Sequence, residues 1–73
     1  MKIDNSLAYF LILVQEVFGE PYILEYVEEG TLLIRVKTNK LEPEDAASRL
    51  EFCDRVLIAM KLSEVAVTVD YIK

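Results

Sequence analysis

Histidine and tryptophan are absent from this 73-residue chain, cysteine occurs once, and glycine and proline occur twice each. Without histidine the chain lacks the commonest general base and the commonest metal ligand. A lone cysteine, Cys53, cannot close an intramolecular disulfide, which points to a reducing, cytoplasmic setting. Gly19 and Gly30 stand far apart, so no glycine-rich loop can cradle a phosphate. The longest apolar run, Leu7 to Val14, has eight residues, against the roughly 20 that a bilayer span needs. No signal-peptide pattern opens the chain and no lipidation motif begins or ends it, so nothing suggests a membrane. Positive charge is also scarce: eight Lys and Arg face thirteen Asp and Glu, a net charge of −5. That balance speaks against DNA or RNA and mildly for a basic protein partner, although its plainest meaning is solubility.

What is present fits one domain spanning residues 1–73, with a core so small that self-association is a physical expectation. The run from Leu7 to Val14 looks apolar all round until it is wound at 100° per residue. Leu7, Phe10, Leu11, Leu13, Val14, Val17 and Phe18 then share one arc, and Ala8, Tyr9, Ile12, Gln15 and Glu16 share the other. The spacing predicts an amphipathic helix over about Ser6 to Phe18, capped by Asp4, Asn5 or Ser6 and stopped by Gly19 and Pro21. Tyr9 and Ile12 are left on its wet side.

From Tyr22 the pattern turns to β: Tyr22 to Glu28 and Thr31 to Thr38, joined through Glu29 and Gly30, read as a hairpin. A two-residue loop would set Glu25 against Ile34; one extra loop residue sets Glu25 against Arg35 and groups Leu24 and Tyr26 with Leu32, Ile34 and Val36, and this second register is the one expected from charge pairing. A second helix is expected from Pro43 to about Leu62, with Ala46, Leu50, Cys53, Leu57 and Met60 as its core stripe. Asp45 with Arg49 and Glu51 with Arg55 pair four apart on its solvent side, and Phe52 is stranded outside the stripe. Strict alternation from Val65 to Ile72 marks a last, half-buried strand.

The expected fold class is therefore α+β in the order α-β-β-α-β, a small antiparallel or mixed sheet with two helices on one face. This becomes a ferredoxin-like variant with its first strand reduced or missing if Met1 to Asp4 is counted as a stub. Loss of that strand allows two outcomes. The hairpin and last strand can pair directly and leave open edges, or something else, such as another protomer, can fill the gap.

No catalytic or cofactor-binding constellation emerges. Cys53 lies mid-helix on the buried stripe, where it reads as a small core residue rather than a reactive thiol. Glu28 with Glu29, and Glu42 with Glu44 and Asp45, lack the spacing and turn glycine of a calcium loop, so no metal or cofactor is expected. Among the four tyrosines, Tyr22, Tyr26 and Tyr71 read as ordinary strand residues. Tyr9 and Ile12, and separately Phe52, are expected in a protein interface because both helices have complete core faces without them.

These residues point to a small, acidic, cytoplasmic and non-enzymatic module that binds protein, either a second copy of itself or another protein, with no small-molecule substrate evident. The alternative is an acidic inhibitor of the immunity, antitoxin or anti-defence kind that occupies a basic groove. A third possibility is a ligand site at a dimer interface in which Arg35, Lys37 or Arg55 receives an anion.

Overall fold

The structure, a computed structural model, describes residues 5–27 and 30–72; the stub expected from Met1 to Asp4 lies outside them. Helix α1 (Asn5–Phe18) leads into strands β1 (Tyr22–Tyr26) and β2 (Leu32–Thr38), followed by helix α2 (Pro43–Ala59) and strand β3 (Val65–Tyr71). The three strands form one mixed sheet in the order β1-β2-β3. β1 runs antiparallel to β2, and β2 runs parallel to β3, the return path being supplied by α2. Because β2 and β3 are hydrogen-bonded neighbours, no slot for a further strand lies between them, and among the described residues no further strand pairs with either outer edge.

Helix α1 follows its wheel closely. Leu7, Phe10, Val14 and Phe18 are buried, while Ala8, Tyr9, Ile12, Gln15 and Glu16 are exposed. Gly19 ends it in the left-handed region at φ 62, and its N–H reaches back to the Gln15 carbonyl at 2.9 Å, as a C-terminal glycine cap does. Helix α2 is shorter than its periodicity predicts. It stops at Ala59, because the N–H of Lys61 bonds the Ile58 carbonyl and that of Leu62 bonds the Leu57 carbonyl, closing a Schellman turn. Lys61 takes the left-handed position in that turn at φ 59. No glycine marks the spot, so the pattern alone carries no stop signal there.

The hairpin register also differs from expectation. Tyr26 stands opposite Leu32 and Glu25 opposite Leu33, two positions away from a direct Glu25 and Arg35 pair. The last backbone bond before the turn runs from the Val27 N–H to the Thr31 carbonyl at 2.9 Å, and Gly30 sits just before Thr31 at φ 78. The loop between Val27 and Thr31 has three residues, as many as the expected register allows, but it begins one position earlier, so that Gly30 and not Thr31 stands at its left-handed end. Since the shift is two residues, every side chain keeps its face, and Arg35 still reaches Glu25 diagonally at 3.0 Å.

One core results. Leu32, Ile34 and Val36 of β2 and Val65 of β3 meet Leu7, Phe10, Val14 and Phe18 of α1 and Cys53 and Leu57 of α2. These β2 side chains all lie on one face of the sheet, so both helices cover that face, and among the described residues no element covers the opposite one. Thr38, the fourth inward residue of β2, is buried, and its hydroxyl accepts from the Lys40 and Leu41 N–H groups at 3.0 and 3.3 Å, which satisfies it and turns the chain toward α2.

Candidate interaction surfaces

Three surfaces carry side chains that the core does not use. The first is the outer side of the helical layer. Tyr9 is 69 % exposed and Ile12 59 %, together on the outward side of α1, and Phe52, 49 % exposed, stands on neighbouring α2. Ile58, at 78 %, is more exposed than any of them. Like Phe52, Ile58 is an apolar residue off the complete core stripe of α2, a signal equally present in the sequence. Ile58 borders an open groove of about 530 Å³ between the end of α2 and β3, with Leu57, Leu62 and Val65 as its apolar lining and Asp54 and Lys61 as its charges.

The second surface is the outer edge of β1. Four consecutive residues, Ile23 to Tyr26, are exposed, and so is Val27. Ile23 and Val27 project on the open side of the sheet, while Leu24 and Tyr26 project on the helix side yet stay exposed. Tyr22 alone packs against the core. The signal was present in the sequence, since β1 is apolar on both faces, which is unusual for an antiparallel strand with one wet side.

The third surface is the open face of the sheet, and it is ionic. Arg35 donates to Glu25 at 3.0 Å and to Asp70 at 2.9 Å, and Lys37 donates to the same Asp70 oxygen at 2.9 Å. Hydrogen bonds from Lys37 and then Arg35 hold the Asp70 carboxyl below its ordinary pKa, and bonds to Glu25 and Asp70 raise that of Arg35. On α2 the expected pairs both form, Arg49 with Asp45 at 3.1 Å and Arg55 with Glu51 at 2.5 Å. Arg49 also donates to the Val17 carbonyl, tying α2 to the last turn of α1, where a cation is favoured by the helix dipole.

These pairings bear on the chemistry available. Arg35, Lys37 and Arg55 are each engaged by carboxylates, and none of them lines the groove beside α2. Cys53 is fully buried, and burial, helped by neighbouring Asp54, pushes its thiol up to about 11. A thiol so placed is protonated at neutral pH and a poor nucleophile. Among the described residues no cluster of three or more Cys, Asp or Glu is placed to hold a metal ion, and no helix is long and apolar enough to cross a membrane.

Set against protein-family models, curated proteins and solved structures, the chain finds no match, so its surfaces stand as the basis for a functional reading.

Proposed function

We propose that this chain is a non-enzymatic protein-protein interaction module that self-associates and presents the outer side of its helices to another protein. The observation that carries the reading is the exposure of Tyr9, Ile12 and Phe52 on helices whose core faces are complete without them. Large rings and branched aliphatics held on helices are suited to this use, since they offer area with little rotamer freedom to lose. The architecture is best read as a contracted ferredoxin-like plan, with the two flanking strands closed directly on each other. A single, buried cysteine supports a reducing compartment such as the cytoplasm.

The acidic-inhibitor alternative requires carboxylates ranged along one continuous surface. Here the ion-paired acids are divided between the two layers, Glu25 and Asp70 sharing Arg35 on the open face of the sheet and Asp45 and Glu51 paired with Arg49 and Arg55 on α2. This distribution favours the interaction module.

The test is capture from the native host with quantitative mass spectrometry, comparing the wild type with the triple variant Tyr9→Ser, Ile12→Ser, Phe52→Ser. The expected result is a specific protein retained by the wild type and lost by the variant, at unchanged monomer stability. An identical set of captured proteins would remove the helical surface from the reading.

A further inference from the structure

We propose that the open edge of β1 is where the chain pairs with a second copy of itself, antiparallel and about a two-fold axis at Leu24, joining two three-stranded sheets into one of six strands. The inference rests on the self-association in the reading above and assigns it to a surface separate from Tyr9, Ile12 and Phe52.

The backbone sets the geometry. The Val27 N–H donates to the Thr31 carbonyl at 2.9 Å and the Lys37 N–H to the Pro21 carbonyl at 2.8 Å, so the odd-numbered residues of this strand address β2. Alternation in an antiparallel pair then turns the amide groups of Tyr22 and Leu24 toward the outer edge. Such an edge is a template for another strand unless lysine, an inward charge or a bulge blunts it. Within Tyr22–Tyr26 the only charge is Glu25, and Arg35 engages it on the open face. The other edge is different: along β3, Val65 to Asp70 are buried or half-buried, and exposure begins only at Tyr71.

A second copy fits this edge because the edge is complementary to itself. A two-fold axis normal to the sheet keeps the helices of both copies on one side and pairs residues of like parity. Centred on Leu24, it sets Leu24 against Leu24 and Tyr22 against Tyr26 on the helix side, with Ile23 against Glu25 on the open side. Centred on Glu25 it would oppose two carboxylates directly, a destabilising pair. Centred on Ile23 it would leave Tyr26 opposite Glu20, beyond the start of the other strand. At their observed exposures Ile23, Leu24, Tyr26 and Val27 present about 400 Å² per copy, so pairing removes up to about 800 Å² from water, below the roughly 1,200 Å² at which stable interfaces begin and in the range of weak, transient ones. The dimer is accordingly weak and concentration-dependent, with dissociation in the micromolar range.

Cross-linking reads this register directly. Hydrogen-bonded antiparallel partners have Cα atoms about 5.5 Å apart, within disulfide range, whereas residues offset by two positions are not. Buried Cys53 stays silent. Under mild oxidant, Leu24→Cys should form a covalent dimer at least about tenfold faster than Ile23→Cys or Ile12→Cys. Independently, Leu24→Lys, which places two ammonium groups on the axis, should weaken wild-type dimerisation by at least about tenfold in sedimentation with helix content unchanged. If the wild type dimerises but Leu24→Lys leaves the dimer intact and Ile12→Cys cross-links fastest, the helices are the dimer surface: the inference fails and self-association stands. A wild type that is monomeric throughout the micromolar and low millimolar range overturns both.

Discussion

Two residues in the left-handed region end the two helices, and only one of them is glycine. Gly19 at φ 62 has no atom within 4 Å of where a Cβ would stand, so Gly19→Ala tests backbone conformation alone and should cost about 1 kcal/mol. Lys61 holds the equivalent place after α2 at φ 59, in a turn fixed by the Lys61 to Ile58 and Leu62 to Leu57 bonds. A Cβ is disfavoured there by a similar amount, offset in part by the greater freedom glycine has when unfolded. Lys61→Gly is therefore expected to stabilise the fold by roughly 0.5–1 kcal/mol, read as a higher urea midpoint at unchanged slope. A lower midpoint would show that the strain assigned to Lys61 is absent. The same pair of residues explains what was legible: the end of α1 was announced by glycine and proline, and the end of α2 by nothing of the kind.

At the level of the elements, the sheet is held on its open side by charge and on its covered side by apolar packing. Asp70 joins β3 to β2 by accepting from both Lys37 and Arg35, which lowers its pKa below 3.8. A carboxyl depressed in the folded state contributes stability that is complete above its unfolded value and disappears as pH falls through the folded one. The urea midpoint of the wild type should therefore exceed that of Asp70→Asn by a constant margin between about pH 5 and 7, and the margin should close as pH falls below the usual carboxylate value. A margin independent of pH down to about 2.5 would mean that the substitution acts through packing.

The elements also mark how far the sequence could be read. Periodicity 3.6 sorted every residue of α1 from Leu7 to Phe18 into its proper environment, because one face meets a core and the other meets water. The hairpin register expected from a direct Glu25 and Arg35 pair and the observed one have loops of equal length, so the choice between them falls to where the left-handed glycine sits. A long arginine reaches the diagonal neighbour equally well, so charge does not discriminate between registers two residues apart. The exposed apolar edge of β1 was hidden for another reason. Alternation shows which face a side chain takes, but not whether a helix extends far enough to cover it.

On the scale of the whole molecule, the net charge of −5 acts against the dimer proposed at the β1 edge. Two such copies repel one another, and the Debye length falls from roughly 14 Å at 50 mM salt to about 4 Å at 500 mM, so salt removes a force opposing association. In the proposed pairing Leu24, Tyr26, Ile23 and Val27 would supply an apolar contact that salt does not weaken. The dimer dissociation constant should thus fall severalfold, by about 1 kcal/mol, between those two salt concentrations. A complex in which the carboxylates sit in a basic groove behaves in the opposite sense and loosens as salt rises. A partner bound through Tyr9, Ile12 and Phe52, as proposed, should likewise show a weak dependence, because that contact is apolar. Dissociation constants measured for both complexes across that range separate the two cases by sign. A loss of more than about a hundredfold in the partner complex, some 2.7 kcal/mol, would make the acidic surface the binding surface and reverse the ranking of the two functions.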